Sequence, residues 1–407
     1  MEEDMLDTAF IWSDNWHIED GKAWFVEGWR NALFCLDLNT KICEYIAPIP
    51  KLEAKTFRRN PRATKIGNDI YCMPDLGNCI WIYQIEEEKF LQMKINNLKR
   101  KRVSIYDYWK CENRLYAVAL GQQQILEINL EEKKICAYYT ICNYDEENLE
   151  RSVKVGLDIY TVSGISNRVY QFNIKTKQTV EHTLTGIEGK LNTICFDGRK
   201  FWLSGNRREI YVWDKENNVT EILRNLPNDF GMYDFFGKTE EILDQKSDIY
   251  NTFAFMEARV AGSCIWFIQF RTNQIIYVDI NTYQIHVLEM QDERETKESL
   301  QNNKLVSKYL LQYLLEERYL GLFSIKNNWI VEIDTDSLQI EVKKFLFDYE
   351  NYVDKLQDYT FEENRPIEMK TFGYLLAENN RKISMTEKIE VGARIYHQTV
   401  TNIGDGL

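Results

Sequence analysis

The sequence predicts an all-β fold built from seven copies of a four-stranded antiparallel unit. Three observations support this prediction. Short apolar runs alternate with turn residues, a pair of polar residues recurs around one strand of every copy, and most copies follow one another at roughly 40 to 50 residues.

The clearest copy spans residues 191–222. It contains four runs rich in β-branched and aromatic residues, separated by turn sequences that include Asp197-Gly198 and Gly205-Asn206. Such residue pairs readily adopt the positive φ that two-residue hairpin turns require. This stretch therefore predicts four consecutive antiparallel strands.

The third strand of each copy is enclosed by two polar residues six positions apart. The pairs are Asn31/Asp37, Asn78/Gln84, Gln123/Asn129, Asn167/Asn173, Arg208/Asp214, Asn273/Asp279 and Asn328/Asp334. An amide or carboxylate at the end of a strand can accept hydrogen bonds from the backbone of the following turn. This explains why every copy closes on Asp, Asn or Gln.

A repeat of this length with four strands per unit is typical of β-propeller blades. The sequence therefore predicts a seven-bladed β-propeller over residues 10–347, after a leader of residues 1–9. Two longer intervals indicate insertions at residues 224–251 and 289–308. The aromatic residues, 13% of the chain, are expected to fill the space between blades.

The strand pattern is lost after residue 347. In the tail, residues 348–407, apolar residues recur at spacings of three and four, as in Ile389, Ala393 and Tyr396. This spacing predicts amphipathic helices. We expect this row either to dock to a partner protein as a helix in a groove or to pack on the side of the propeller.

Composition excludes several classes of function. A formal net charge of −13 over 407 residues argues against nonspecific binding to nucleic acid or to anionic membranes. The acidic N-terminus lacks signal-peptide features, and no run approaches the roughly 18 apolar residues of a membrane span. We therefore expect a soluble cytoplasmic protein.

Sequence motifs for catalysis or metal binding are absent. The nine cysteines include no C-x-x-C pair, and the four histidines show no metal-ligand spacing. There is no nucleophile elbow, Walker loop or dinucleotide fingerprint. The sequence consequently predicts no metal site and no cofactor, and it singles out no catalytic residue.

In a propeller, the loops joining second to third strands lie on the same face as the linkers between blades. The candidate ligand-binding residues of these loops are Arg30, Arg168, Arg207, Arg208, Arg271, Asn31, Asn78, Asn167, Asn273 and Asn328. The linkers add Arg58, Arg59, Arg62 and a basic run at residues 99–102. Converging guanidinium groups suit a carboxylate, a phosphate or an acidic peptide. The alternative is a solvated surface with turn-forming asparagines.

The repeated frame resembles the kelch-type repeats of the β-propeller superfamily. The resemblance rests on stretches such as IYTVSGISNRVYQFNIKT and FWLSGNRREIYVWDKEN, although the Gly-Gly doublet after the second strand is missing. It covers about residues 10–347. The resemblance implies the fold, but it implies no function, because function is carried by a site and not by a superfold.

These observations predict a non-catalytic binding or scaffold propeller that engages a protein, an anionic small molecule or a glycan. The alternative is a propeller-type lyase or hydrolase acting on an anionic sugar or peptide in the central channel. A flat or plugged channel mouth on the arginine-bearing face would favour the scaffold. An ionisable pair at the mouth of a deep pocket there would favour the enzyme. The sequence leaves the oligomeric state and the closure of the ring open.

Overall fold

The structure is a computed structural model that describes residues 13, 15–27, 31–50, 62–75, 77–96, 103–120, 122–142, 144, 147–227, 233–234, 252–253, 255–268, 274–290, 309–324 and 329–347. The leader, most of both insertions and the tail lie outside the described residues. So do seven of the sequence-predicted site residues, namely Arg30, Arg271, Asn273, Asn328, Ile389, Ala393 and Tyr396.

The described strands form eight sheets. Seven of them are blades, one for each predicted repeat, and each blade has four consecutive antiparallel strands; a fifth, parallel strand joins the sheet of blade one. The eighth sheet is a single pair of strands. Blade one comprises β1 (His17–Glu19), β2 (Lys22–Glu27), β3 (Ala32–Asp37) and β4 (Ile42–Pro48). Blade two comprises β5 (Arg62–Ile66), β6 (Asp69–Met73), β7 (Cys79–Gln84) and β8 (Lys89–Lys94). Blade three comprises β9 (Ser104–Cys111), β10 (Arg114–Leu120), β11 (Gln124–Asn129) and β12 (Lys134–Thr140). Blade four comprises β13 (Leu149–Val155), β14 (Asp158–Ser163), β15 (Arg168–Asn173) and β16 (Thr179–Thr183).

The remaining blades follow the same order. Blade five comprises β17 (Leu191–Phe196), β18 (Phe201–Gly205), β19 (Ile210–Asp214) and β20 (Val219–Leu223). A short hairpin, β21 (Tyr233–Asp234) and β22 (Thr252–Phe253), separates it from blade six. Blade six comprises β23 (Glu257–Ala261), β24 (Cys264–Ile268), β25 (Gln274–Asp279) and β26 (Ile285–Glu289). Blade seven comprises β27 (Tyr309–Leu315), β28 (Tyr319–Ser324), β29 (Trp329–Asp334) and β30 (Ile340–Lys343), and β31 (Leu346–Phe347) ends the described chain.

Each sheet is a meander with its strands in sequence order. Side chains from the first strands of five blades, and from the segment before β1, line a common cavity. The first strands are therefore innermost around a central channel, and the fourth strands are outermost. The prediction of an all-β, seven-bladed propeller is confirmed.

The core lies between the blades. Among the described residues there are seven hydrophobic clusters, and each combines side chains of two adjacent blades. Blade five shows the principle: Trp213 packs toward blade four, and Trp202 packs toward blade six. Both indoles are fully buried, and burying a large side chain typically contributes about 1.5 to 3 kcal/mol. The aromatic residues thus fill the space between blades, as the sequence predicts.

The recurring polar pairs have a structural cause. The Oδ1 atom of Asp37 accepts hydrogen bonds from the N–H groups of Asn39 (2.8 Å) and Thr40 (2.9 Å). The same two-bond turn forms at Asn129, Asn173, Asp214, Asp279 and Asp334. Gln84 departs from it, because its longer side chain donates to Glu87 instead. The predicted role of the closing residue is therefore confirmed for Asp and Asn.

Both ends of the described chain help to close the ring. Strand β31 pairs in parallel with β4, the outermost strand of blade one. The backbone N–H of Trp16 donates to the carbonyl of Gln312 in β27 (2.9 Å), and the Gln312 side chain donates to the carbonyl of Ser13 (2.7 Å). Trp16 and Phe345 also share one core cluster with ring centroids 6.1 Å apart. Blades one and seven are thus joined by backbone pairing and by packing.

No helix in the described part of the chain has the length and apolarity needed to cross a membrane.

Candidate functional site

The two faces of the ring differ in the connections they carry. We call the face with first-to-second and third-to-fourth strand turns the hairpin face, and the other the entry face. On the hairpin face every connection is short. On the entry face the chain runs from Leu223 to Glu257 between blades five and six, and from Glu289 to Tyr309 between blades six and seven. The entry face therefore carries the longest connections of the molecule.

Each of the three described candidate arginines on the entry face has a local partner. Arg168 lies 3.1 Å from Glu181, and its guanidinium lies over the ring of Tyr144 at 4.3 Å from the centroid. Arg207 lies 2.9 Å from Glu188. Arg208 donates to the carbonyl of Pro227 at 2.6 Å. Arg207, with 48% of its side chain exposed, is the best placed to meet a partner.

The described candidate asparagines hold the loops together. The carbonyl of Asn31 accepts from the N–H of Ile49 (2.7 Å), and the carbonyls of Asn78 and Asn167 accept in the same way from the residue that follows the fourth strand of their blade. The Asn167 side chain donates further to Leu184 and Ile187 carbonyls. These residues fasten the second-to-third strand loop to the start of the next linker. Their predicted role in ligand binding stays a prediction.

Five charged residues of the first strands meet across the channel. They are Arg62 of β5, Asp107 of β9, Arg151 of β13, and Glu257 and Arg259 of β23. Nη2 of Arg62 and Nη2 of Arg151 lie 3.2 and 2.8 Å from Oε1 of Glu257, and Nη2 of Arg259 lies 3.3 Å from its Oε2. Asp107 lies 3.9 Å from Arg62 and 3.6 Å from Arg151. We call these five residues the channel cluster.

Neighbouring groups hold the channel cluster in place. Arg62 donates to the carbonyl of Tyr106 (2.5 Å), and the guanidinium groups of Arg62 and Arg151 lie 4.9 and 5.0 Å from the centroid of the Tyr106 ring. A cation over an aromatic face is attracted by the ring quadrupole. The backbone N–H and the hydroxyl of Ser152 donate to Asp107 at 2.7 and 3.0 Å. The cluster is therefore ordered by several elements at once.

Electrostatics fix the protonation of the cluster. Burial raises the pKa of Glu257, but the charges of Arg259, Arg151 and Arg62 outweigh burial and lower this pKa to about 2. Glu257 is thus ionised at neutral pH. With three guanidinium groups and two carboxylates, the cluster carries one net positive charge. Beside it, burial raises the pKa of Glu150 to about 7, against the opposing charge of Arg151.

The channel cluster lies on the entry-face side of a cavity. Each first strand begins at the entry face, and Arg62 and Glu257 are the first residues of β5 and β23. The cavity, of about 330 Å³, extends from Arg62 to residues near the ends of their strands, including Trp109 and Phe196. Ion pairs between blades two, three, four and six therefore bar the channel beneath the entry face.

The repeat pattern gives no indication of this cluster. Arg62 and Glu257 are separated by 195 positions in the chain, and each lies at the start of a strand, where a charged residue usually faces solvent. The available sign was that Asp107 interrupts a first strand that is otherwise rich in apolar and aromatic residues. Only the radial arrangement shows that these side chains converge.

Comparisons with known proteins support the fold alone. No protein-family model matches the chain, and no curated protein matches it. A chain of the crystal structure of the mitotic checkpoint complex is similar with a TM-score of 0.54 and 8% identity, over 84% of this chain and 90% of that chain. A second similar structure is PorZ, an essential bacterial surface component of the type-IX secretion system of Porphyromonas gingivalis. Its TM-score is 0.51 at 10% identity, over 83% of this chain but only 38% of PorZ. The class defined is the β-propeller, and identities this low show nothing finer.

Proposed function

We propose that the protein is a non-catalytic scaffold propeller whose entry face engages a protein partner. The observation that carries this proposal is the channel cluster. Ion pairs cross the channel beneath the face with the longest connections, so that the centre of this face is plugged. A plugged mouth favours contact with a macromolecule over entry of a substrate from this side.

The construction of the ring supports the same role. Core clusters join each blade to the next, and β31 and Trp16 tie blade seven to blade one. Long connections on a rigid scaffold are the usual place for binding residues. The two solved structures named above belong, by their descriptions, to protein assemblies, which agrees with a partner protein.

The proposed contact residues are those of the entry face, and Arg207 is the most exposed of the three described candidate arginines. An acidic segment of the partner would replace Glu188 as the ligand of this guanidinium, because Arg offers the same planar fork to any carboxylate. An anionic glycan or small molecule could use the same donors. The tail, through Ile389, Ala393 and Tyr396, is proposed as a second docking element. A kelch-like repeat type and a cytoplasmic location belong to this proposal and rest on sequence alone.

The enzyme alternative has less support. Among the described residues of the channel cluster, both carboxylates face guanidinium groups, and Glu257 has its pKa lowered to about 2. A carboxylate with so low a pKa is a poor proton donor or acceptor at neutral pH. This arrangement suits positioning and charge recognition better than acid–base chemistry.

A matched pair of charge reversals tests the proposal. Partners captured by the full chain from its native host are identified, and the main partner is purified. Its affinity is then measured against salt concentration for wild type, for Arg207→Glu/Arg208→Glu, and for the hairpin-face control Lys175→Glu/Arg199→Glu, whose two side chains are exposed. Both variants change the net charge equally.

We expect the entry-face variant to bind at least about tenfold more weakly, a loss of about 1.4 kcal/mol, and with a flatter salt dependence. The control should bind as the wild type does. Equal weakening by both variants would indicate general charge repulsion, and unchanged binding by both would remove the entry face from the account.

A further inference from the structure

We propose that the central cavity is a binding site for a small monocarboxylate with a planar, partly apolar body. This site is separate from the entry-face surface and does not depend on it. The cavity measures about 330 Å³, which lies at the small end of the roughly 300 to 1,000 Å³ typical of small-molecule sites. A compound the size of a substituted aromatic acid fits this volume.

One end of the cavity is charged. Arg62, Asp107 and Arg259 line it, and Arg259 is the accessible guanidinium, with 34% of its side chain exposed. Among the described residues, Arg259 contacts the Ala258 carbonyl at 3.1 Å and Glu257 at 3.3 Å. A guanidinium has five N–H donors. Arg259 therefore retains donors for the two oxygens of a carboxylate.

Arg62 contributes further positive charge to the charged end of the cavity. It is only 3% exposed, and its Nε has no hydrogen-bond partner among the described residues. Buried donors are normally paired. Glu257 and the Tyr106 carbonyl hold the Arg62 guanidinium in place. Its positive charge strengthens the local attraction for an anion.

The charge balance selects the anion. The channel cluster has one net positive charge, and its two carboxylates would repel a dianion more strongly than a monoanion. A monocarboxylate balances the formal charge of the five cluster residues, whereas a phosphate ester with two negative charges exceeds it. Glu150, beside the cluster with a pKa of about 7, adds to the repulsion of a dianion when it is ionised. Bidentate Arg–carboxylate pairing provides the geometry.

The other end of the cavity recognises the body of the ligand. It is lined by Trp109, Ile194, Phe196 and Val260. Aromatic side chains bind flat, apolar groups by stacking and by edge contacts. The two ends together define an aromatic or similarly flat carboxylic acid.

Isothermal titration calorimetry on the full chain tests this site with three probes of the same shape. Phenylacetate carries one negative charge, phenylacetamide carries none, and phenyl phosphate carries up to two. We expect phenylacetate to bind at least about tenfold more tightly than either of the others. Failure of phenylacetate to bind up to its solubility limit, or equal binding of the amide, would overturn the proposal. Equal or tighter binding of phenyl phosphate would overturn the assignment to carboxylates.

Two variants place the binding in the cavity. Arg259→Gln removes the accessible guanidinium, and Val260→Trp fills the apolar end while it keeps every charge. Each should weaken phenylacetate binding at least about tenfold. The control Arg224→Gln makes the same chemical change at a side chain that is 62% exposed and paired with Glu209, and it should bind as the wild type does. Wild-type affinity in both cavity variants would overturn the proposal, and thermal melts verify that each variant is folded.

Discussion

The Nη2 atom of Arg151, in blade four, lies 2.8 Å from the Oε1 atom of Glu257, in blade six. Because blade five lies between them in the ring, this contact joins two blades that are not neighbours. Arg62 of blade two reaches the same oxygen from the other side at 3.2 Å. The hydrophobic clusters join only adjacent blades. The channel cluster therefore couples parts of the ring that the core does not connect.

Removing the charge of Glu257 should destabilise the whole ring. Glu257→Gln would leave three guanidinium groups facing one another around a side chain that is 7% exposed. Removing one partner of a buried ion pair typically lowers the free energy of unfolding by about 3 to 5 kcal/mol. Urea unfolding measures this loss. The control Glu188→Gln, at a side chain that is 81% exposed, should leave the midpoint unchanged, and a similarly small effect at Glu257 would contradict a structural role of the cluster.

The penalty of Glu257→Gln should depend on pH. The pKa of Glu257 is about 2 in the folded protein against an ordinary value of 4.5. Its contribution to stability is therefore fully present above pH 4.5 and is lost as the pH falls toward 2. Unfolding free energies of wild type and variant should converge over this interval. A difference that stays constant down to pH 3 would count against the lowered pKa.

Glu150 should show the opposite sign. Its pKa is about 7 in the folded protein against an ordinary value of 4.5, so the folded state binds more protons than the unfolded state between these values. Stability therefore falls as the pH rises from 4.5 to 7. Glu150→Gln should stabilise the protein by about 1 to 3 kcal/mol at pH 8, after allowance for partial solvent screening. The gain should vanish near pH 4.5, and a gain of equal size at both pH values would point to packing instead of charge.

Ring closure is tested by two truncations. A chain ending at residue 347 keeps Phe345 and β31, whereas a chain ending at residue 343 loses both. Phe345 is 9% exposed and packs on Trp16 and Phe323, and loss of a buried Phe costs about 3 to 5 kcal/mol. The longer chain should give a cooperative thermal melt close to wild type, and the shorter one a markedly lower Tm. Aggregation of the longer chain would show that residues 348–407 cover core surface and do not serve for docking.

The sequence was sufficient to predict the blades. The residues that made this possible act locally. Asp37 and its counterparts accept hydrogen bonds from the turn beside them. Trp202 and Trp213 lie in strands whose apolar side chains point toward one or the other of the two neighbouring blades. Because these local interactions recur from blade to blade, they produce a repeat of one blade length in the sequence. The seven-bladed fold followed from that repeat.

The channel cluster could not be predicted in the same way. The contact between Arg151 and Glu257 depends on the distance across a closed ring, which no short spacing in the sequence records. Strand β31 is too short to give a strand pattern, and its partner in blade one lies at the other end of the chain. For Arg168, Arg207 and Arg208, no pattern in the sequence indicates the local carboxylates and the carbonyl that hold them.

Hydrogen–deuterium exchange of the full chain, with and without its purified partner, tests the scaffold proposal most directly. Peptides covering 185–190 and 205–209 report on the entry face, and peptides covering 197–200 and 215–218 report on the hairpin face of the same blade. We predict that the partner slows exchange in the first pair and leaves the second pair unchanged. Protection confined to the hairpin face would contradict the proposed contact surface.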